Sequence, residues 1–392
     1  MNSFFISGMF RSGTTTIARA LNAHPRIACA SDPMAELFKS FRSEVAYNLG
    51  QNVPVLSPLS DYYYDKAGYE LFNELMEAAS LDTEFLCWSH GELIEKLQKR
   101  ADSYCGKLLP YLRSVSGPTY RDYFESIRSA IYKAYGSAET ELVGFKEVWC
   151  SEFIPTLARE YPQMKFVLII RDPRAVCASK KMQDEQYPWT FLARQWRKLA
   201  ALHYMLSRDD RFSDRVLGIQ QEDFVLYPER TMSQITEFLD VDWHPNVADP
   251  SKYEDGDGNP WSQNSSYGVG GQKIDKQAIE RWRGVLTARE VALIEYICGP
   301  EMSLFNYERV SDQQALEEPS LIVCPPMVSS HSVAKWMEGV VSNEESEIAA
   351  QIAVDTLRHK IIGMPSRVRG NIPSEVVNSA FLSEKLLHGL WG

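Results

Sequence analysis

The sequence predicts an α/β fold of the P-loop-like kind, with three layers (α/β/α) around a central parallel sheet. Short apolar runs at 3–8 and 164–170 are typical of parallel strands that are covered on both faces. Segments with helical spacing alternate with these runs, as in repeated strand–helix–strand units. A turn bracketed by Gly8 and Gly13 separates the first run from the first helical segment. Together these observations favour a doubly covered sheet with a phosphate-binding type of loop after its first strand.

The elements follow in order along the chain. The predicted strands are 3–8, 27–30, 142–145, 164–170 and 216–219. The predicted helices of this core are 13–23, 33–41, 151–161, one from 173 onward, 189–208, 228–239, 275–284 and 287–298. Prolines set several of these limits, because proline starts a helix well but cannot continue one. Pro25 thus ends the first helix, Pro33 and Pro173 begin later ones, and Gly299-Pro300 ends the last.

Two regions lie outside this alternating core. Residues 48–140 predict a helical insertion, with helical segments near 67–79, 91–100 and 119–135. We expect the insertion to form the acceptor region, because long insertions between core strands commonly carry binding residues. The predicted catalytic domain is therefore 1–310, and 311–392 is a helical C-terminal appendage of unknown role. Its helices are where we expect a homo-oligomer to form.

Composition narrows the function classes. A net charge of −11 in 392 residues argues against a nucleic-acid binder or a protein of anionic membrane surfaces. The seven cysteines are scattered without C-x-x-C spacing, so neither a metal site nor a disulfide framework is predicted. No apolar stretch reaches the ~18–20 residues of a membrane span, and the first residues lack a basic signal region. We expect a cytoplasmic protein.

The turn at 7–13 carries the first chemical signal. Gly8 and Gly13 have Walker A spacing, but Thr14 stands where that motif needs lysine, and Arg11 lies inside the loop. Amide groups of such a loop and of the following helix bind anions. The pattern indicates an anionic ligand other than a triphosphate bound on magnesium.

A second anion-type motif follows the apolar run at 164–170. Arg171 comes directly after that run, and Ser179 lies eight residues later, two helical turns along. Ligands of open α/β sheets collect at the carboxyl ends of strands. A guanidinium fork matches a phosphate group bidentately, so this motif predicts a second phosphate site.

With both motifs in place, the chain resembles the sulfotransferases that use 3′-phosphoadenosine-5′-phosphosulfate (PAPS). Their first motif, P-[RK]-S-G-T-T, stands here as FRSGTT at 10–15, and their second, R-[DN]-P-[RK]-x-x-x-x-S, stands as RDPRAVCAS at 171–179. The resemblance covers about residues 3–310 and is closest to the Golgi and tyrosylprotein branch and its bacterial relatives. Phe10 replaces the family's proline.

The resemblance implies roles for individual residues. Arg11, with Ser12, Gly13, Thr14 and Thr15, would hold the 5′-phosphosulfate, and Arg171 with Ser179 the 3′-phosphate. Lys146 matches the family's transition-state lysine; its alternative is a surface lysine at a strand end. A third cofactor segment at 264–273 suggests Ser265 and Lys273 as contacts. Gln221 stands where relatives often carry a tyrosine that contacts the cofactor.

The sequence offers several candidates for the general base. An acceptor hydroxyl must lose its proton, and counting from Arg11 places Asp32 where the tyrosylprotein branch has its glutamate. Asp32 has an alternative role as the cap of the next helix. Glu36, Glu147 and His90 are further candidates for the base.

The resulting hypothesis is a PAPS-dependent sulfotransferase, releasing PAP, that acts on a hydroxyl or amine of a small-molecule acceptor such as a bacterial natural product or metabolite. Two alternatives remain: a P-loop kinase or NTPase, and a non-catalytic nucleotide-binding scaffold. The lysine missing at Thr14 argues against the kinase.

Overall fold

The structure, a computed structural model, describes residues 2–48, 76–84, 88–183, 189–262, 274–311, 345–382 and 384–391. Its strands are β1 (Asn2–Gly8), β2 (Ile27–Ser31), β3 (Leu142–Val148), β4 (Lys165–Ile170) and β5 (Val216–Gln220). Its first ten α-helices are α1 (Thr14–Asn22), α2 (Ala35–Asn48), α3 (His90–Tyr104), α4 (Leu109–Leu112), α5 (Tyr120–Tyr135), α6 (Ile154–Glu160), α7 (Pro173–Gln183), α8 (Trp189–Leu206), α9 (Gln221–Leu226) and α10 (Pro228–Phe238). The later ones are α11 (Trp282–Val285), α12 (Ala288–Leu304), α13 (Glu345–Ile362), α14 (Ser366–Arg369), α15 (Ser374–Asn378) and α16 (Glu384–Trp391).

The chain divides into two compact units. The first comprises 1–59, 73–171 and 209–276, and contains all five strands; the second comprises 60–72, 172–208 and 277–392. The predicted limits of the helical insertion, 48 and 140, and of the catalytic domain, 310, stay predictions. Part of the expected insertion, 49–75 and 85–87, lies outside the described residues.

The sheet confirms the predicted fold class. Its order is β2-β3-β1-β4-β5, and every neighbouring pair is parallel. Gly144 in β3 leaves room for the Phe4 ring of β1, because a Cβ there would lie 2.0 Å from that ring. The Phe4 ring therefore lies over a residue without a side chain.

Helices of the first unit cover both faces of the sheet. Phe4 and Ile6 point to one face and pack in a cluster with Ile17 and Leu21 of α1 and with residues of α10. Phe5 points to the opposite face, where its ring stacks on Phe145 at 4.7 Å. Because successive side chains point to opposite faces and both faces are covered by helices, the strands appear in the sequence as continuous apolar runs.

The topology has one switch point that matters for the site. From β1 the chain connects to β2 at one edge of the sheet. From β4 it connects to β5 at the opposite edge. Because β1 and β4 are neighbours, their carboxyl ends border a crevice, the usual ligand position in such sheets. The loop with Arg11 follows β1, and Arg171 follows β4.

The predicted end of the last core helix is wrong, and the helix predicted over 275–284 is confined to α11 (Trp282–Val285). The last core helix does not end at Gly299-Pro300 but continues as α12 to Leu304, with Pro300 inside it. Proline removes the N–H that would bond to the carbonyl of Tyr296. His359 Nε2 lies 2.7 Å from that carbonyl and donates instead, so the helix runs on without an orphaned acceptor.

In the part of the chain that the structure describes, no helix is both long and apolar enough to cross a membrane.

Candidate active site

The loop after β1 has the geometry of a phosphate cradle. Arg11 and Gly13 both have positive φ, 65° and 79°, and Gly13 leads directly into α1. No side chain caps α1, and its first turn carries no acidic residue. A Cβ on Gly8 would lie 2.5 Å from the carbonyl oxygen of Ile169, so this glycine lets the loop start against β4. The amino end of α1 is therefore shaped for an anion.

Two buried polar atoms at the loop, one hydroxyl and one amide oxygen, fit a bound nucleotide. The Ser12 Oγ atom is buried without a hydrogen-bond partner among the described residues, and so is Gln221 Oε1. Gln221 packs against Gly13, because a Cβ on that glycine would lie 2.9 Å from Gln221 Cγ. Buried polar groups are normally satisfied. A nucleotide with hydroxyl, amine and phosphate groups offers both atoms the partners they lack.

Arg171 joins the second motif to the first. Its Nη1 atom donates a hydrogen bond of 2.6 Å to the carbonyl oxygen of Arg11. Both residues belong to the first unit and lie at the switch point between β1 and β4. The structure thus brings together two residues that are 160 positions apart in sequence. Ser179 lies on α7, in the second unit, and is buried.

The carboxyl ends of β2 and β3 bring Asp32 and Lys146 together. Lys146 Nζ pairs with Asp32 Oδ2, and both side chains are buried. The backbone N–H of Asp32 donates to the Lys146 carbonyl oxygen at 2.7 Å. The alternative of a surface lysine is wrong, because Lys146 lies within β3 and is 2% exposed.

The cap of α2 differs from the sequence-based alternative. Glu147 Oε1, rather than Asp32, accepts the backbone N–H groups of Met34 and Ala35, the latter at 2.8 Å. Burial raises the pKa of Glu147 to about 7, against the opposing effect of Arg100. Because Glu147 satisfies the helix, the carboxylate of Asp32 is left for Lys146 and Arg100.

Arg100 is a member of this cluster that sequence reasoning missed. Its Nε atom donates to the Asp32 carbonyl oxygen at 3.0 Å, and its Nη2 lies 3.5 Å from Asp32 Oδ1 and 3.4 Å from Glu147 Oε2. Burial opposes its charge, but Glu147 and Asp32 raise the pKa of Arg100 above the ordinary value. Its sequence surroundings are an ordinary polar helix, so no local signal singled it out.

Trp149 is the second residue that was missed. It follows β3 with a φ of 63°, and its backbone N–H donates to the Gly8 carbonyl oxygen at 3.0 Å. Its indole N–H lies 2.7 Å from Met9 Sδ, and its ring lies 4.7 Å from that of Phe10. Trp149 therefore holds the start of the Arg11 loop against the end of β3. In the sequence, the clue to this contact was Phe10, which replaces the family's proline and packs on Trp149.

The remaining candidates are less favourably placed or are not described. Glu36 pairs with Lys39 at 2.7 Å, and His90 Nδ1 lies 2.9 Å from the hydroxyl of Tyr123 at the exposed start of α3. Ser265 and Lys273 lie outside the described residues. The choice of Asp32 as the base stays a prediction.

Comparison with known proteins decides the family. Residues 3–245 match the model described as the sulfotransferase family, more than half of the chain. The chain belongs to the sulfotransferase family. The family supports sulfuryl transfer as the activity of this enzyme.

This sulfotransferase has distant relatives with different acceptors. Carbohydrate sulfotransferase 3 of Tetronarce californica is 26% identical over 188 residues, which cover 43% of this chain and 42% of that protein. Protein-tyrosine sulfotransferase A of Caenorhabditis elegans is 23% identical over 349 residues, covering 86% and 76% of the two chains. The match thus spans less than half of the first relative and about three quarters of the second.

Among solved structures, the sulfotransferase domain of the Synechococcus PCC 7002 olefin synthase covers 79% of this chain and 95% of that domain, with 18% identity and a TM-score of 0.47. Retinol dehydratase in complex with androsterone and PAP covers 76% of this chain, with 13% identity and a TM-score of 0.34.

Proposed function

We propose that this sulfotransferase transfers a sulfuryl group from PAPS to a hydroxyl or amine of a small-molecule acceptor. The observation that carries the proposal is the hydrogen bond from Arg171 to the carbonyl of Arg11. PAPS has a phosphosulfate at its 5′ end and a phosphate at its 3′ position, so it needs two neighbouring anion sites. The hydrogen bond supports such a pair at one crevice.

The donor would be held from both ends. The loop from Arg11 to Thr15 would bind the 5′-phosphosulfate through backbone N–H groups, the Ser12 hydroxyl and the Arg11 guanidinium. Arg171 would bind the 3′-phosphate, with Ser179 as its proposed companion. Ser265 and Lys273 remain further proposed contacts.

In the proposed reaction the acceptor oxygen forms a bond to sulfur while the bond from sulfur to the 5′-phosphate oxygen breaks. The electron pair of the broken bond stays on that oxygen, and PAP leaves. Asp32 accepts the acceptor proton as general base. Lys146 and Arg11 neutralise the charge that develops on the bridging oxygen, a role in which preorganised cations are effective.

The ion pair between Lys146 and Asp32 suits these two roles. Burial of either charge alone would be costly, and their pairing offsets that cost. A sulfuryl donor bound at the loop would compete for Lys146. The Asp32 carboxylate would then be free to accept a proton, while Arg100 keeps it oriented. We propose a cytoplasmic metabolite or natural product as the acceptor.

Donor binding is tested by calorimetry with PAP in buffer containing a magnesium chelator. PAP should bind, and Arg171→Ala should weaken binding by about tenfold or more, because a charge-assisted hydrogen bond contributes roughly 1.5–3 kcal/mol. Arg113→Ala is the matched control, since Arg113 is exposed and lies outside the site. Absence of PAP binding, or ATP turnover that requires magnesium, would refute the proposal.

Catalysis is tested by following PAP release from PAPS with a panel of acceptors. Lys146→Met and Asp32→Asn should retain PAP binding but lower the rate by about a hundredfold or more. A protein that binds PAP and turns over no acceptor would instead be the non-catalytic nucleotide binder.

A further inference from the structure

Four charged side chains meet at the carboxyl ends of β2 and β3, and the proposed reaction gives no role to one of them. Lys146 pairs with Asp32. Arg100 pairs with Glu147, whose Oε2 atom lies 3.4 Å from Arg100 Nη2. All four residues belong to the first unit, and Glu147 is 0% exposed. A fully buried carboxylate with a specific charge partner, next to the proposed base, is a candidate for a functional role.

Arg100 is shared between the two carboxylates of this cluster. Its Nη2 atom lies 3.5 Å from Asp32 Oδ1 and 3.4 Å from Glu147 Oε2. Its Nε atom donates to the backbone carbonyl of Asp32 at 3.0 Å, a bond that does not depend on the charge of either carboxylate. Burial opposes the charge of Arg100, and Glu147 raises the pKa of Arg100 more than Asp32 does. Glu147 can therefore hold the guanidinium when Asp32 is neutral.

The proposed reaction changes the charge of this cluster. With a donor bound at the loop, Lys146 would turn to the sulfuryl group and leave Arg100 beside the two carboxylates. The proton then leaves the acceptor hydroxyl, whose electron pair forms the bond to sulfur, and binds to the Asp32 carboxylate. Asp32 becomes neutral, so of the four residues only an ionised Glu147 keeps a negative charge beside the guanidinium. Because an unpaired buried charge is strongly unfavourable, the proton transfer is harder without that partner.

We propose that Glu147, in its ionised form, is a positioning residue that holds Arg100 while Asp32 takes the acceptor proton. The inference rests on the proposed function, because it concerns the same proton transfer. The other carboxylate oxygen of Glu147, Oε1, accepts the N–H groups of Met34 and Ala35 at the start of α2. One carboxylate thus anchors both the helix that follows Asp32 and the cation that faces it.

The charge of Glu147 changes with pH near neutrality. Burial raises the pKa of Glu147 to about 7. The titratable and charged groups that face it, from β3, from α3 and from the segments after β2, β3 and α3, are Arg100, Asp32, Lys146, Cys105 and Cys150. Burial raises the pKa of both thiols, so the two cysteines stay neutral near pH 7. The rate should therefore rise as the pH passes through about 7, because Glu147 loses its proton there.

The test follows PAP release from saturating PAPS between about pH 5.5 and 8.5. The acceptor is the panel member that reacts fastest or, where none reacts, water, which converts PAPS to PAP and sulfate. In the unmodified enzyme kcat should rise about tenfold through an apparent pKa of about 7. Glu147→Gln should show no such rise: it should match the unmodified enzyme within about twofold at about pH 5.5 and be about tenfold slower at about pH 8.5. PAP affinity should not change.

A second variant separates this role from the cap of α2. Arg100→Met leaves no guanidinium to be held, so its kcat should not rise through about pH 7. Adding Glu147→Gln to Arg100→Met should then change kcat less than about twofold, because the two residues act through one contact. Loss of the cap alone would instead slow the enzyme equally with and without Arg100.

Glu152→Gln is the matched control. Glu152 is a buried carboxylate that follows β3 but pairs with Arg42, outside the cluster, so this variant should keep the rise of the unmodified enzyme. The inference is overturned by an unmodified enzyme without the rise, by a rise that persists in Glu147→Gln or Arg100→Met, or by equal losses in the two backgrounds. All of these results leave PAP binding and turnover in place, whereas no PAP binding, or no PAP release at any pH, would refute the proposed function itself.

Discussion

At the scale of single residues, backbone strain is concentrated at the proposed site. Asp32, Trp149 and Arg11 have φ angles of 57°, 63° and 65°, and they follow β2, β3 and β1. Such conformations cost free energy in residues other than glycine and persist where other contacts hold them. Asp32 and Trp149 donate backbone hydrogen bonds to carbonyls of neighbouring strands, and the Arg11 carbonyl accepts one from the Arg171 side chain. The strain therefore marks the edge of the sheet where the chemistry is proposed.

Gly13→Ala tests the loop geometry. Gly13 combines a φ of 79° with a Cβ position 2.9 Å from Gln221 Cγ. We expect a loss of about 1–2 kcal/mol in the free energy of unfolding and weaker PAP binding. Chemical denaturation and calorimetry measure the two effects.

Gly91→Ala is the matched control, because a Cβ at this exposed position in α3 meets nothing within 4 Å. It should leave stability unchanged or raise it by about 0.4–1 kcal/mol. Equal effects of the two variants would contradict the proposed role of Gly13.

Glu147 predicts a dependence of stability on pH. Its pKa is about 7 in the folded protein, where burial raises it from an ordinary value of 4.5. Between these values the folded state holds a proton that the unfolded state has released. Stability from this group is therefore fully present below about pH 4.5 and is lost as the pH rises through about 7.

Glu147→Gln should remove that contribution, since the amide oxygen can still accept from the amino end of α2 but does not titrate. Urea unfolding of the unmodified protein and of Glu147→Gln between pH 4.5 and 8 measures how steeply the free energy of unfolding of each changes with pH. Parallel curves for the two proteins would show that Glu147 does not titrate in this range.

At the scale of elements, α12 shows how a helix tolerates an internal proline. Pro300 leaves the carbonyl of Tyr296 without its helical donor, and His359 of α13 supplies one at 2.7 Å. The rings of Tyr296 and His359 stack with centroids 4.0 Å apart. Burial lowers the pKa of His359, although the Tyr296 carbonyl favours its charged form. One helix of the carboxyl-terminal segment thus completes the hydrogen bonds of another.

His359→Ala should destabilise the protein by about 1–3 kcal/mol, because it leaves a part-buried carbonyl without a donor and removes a stacked ring. His388→Ala should cost less than about 0.5 kcal/mol, since His388 is exposed on α16. Thermal unfolding compares the stability of the two variants. A loss for His359→Ala no larger than that for His388→Ala would contradict this account of α12.

At the scale of the whole molecule, buried charges join the carboxyl-terminal helices to the rest of the second unit. Asp355 of α13 bonds to Arg194 at 2.7 Å and to Arg197 at 2.5 Å, both on α8. Arg358 pairs with Glu301 of α12. All five side chains are buried. The residues beyond 345 are thus part of the packing of their unit.

Asp355→Ala should cost about 3–5 kcal/mol, because it leaves two buried guanidinium groups without this carboxylate. Glu375→Ala, an exposed acidic residue on α15, should be nearly neutral. Differential scanning calorimetry of the full chain measures both. A stable Asp355→Ala protein would show that the carboxyl-terminal helices pack weakly.

Much of the fold was predictable because its signals are local. The five strands and the order of the core helices follow from apolar runs, helical spacing and prolines. The helix end predicted at Pro300 was wrong because the donor that replaces its N–H comes from His359, 59 residues later. The small helix α9 was missed because it follows β5 with no break in the chain.

The sequence by itself determined the parallel sheet, the glycines of the first loop and the two anion-type motifs, because each depends on residues that are close together along the chain. Only the tertiary structure decided that Glu147 caps α2, that Lys146 is buried against Asp32, and that Arg100 and Trp149 join the site. These contacts join residues from different strands and helices. Their energies depend on burial and distance in three dimensions, which no local pattern records.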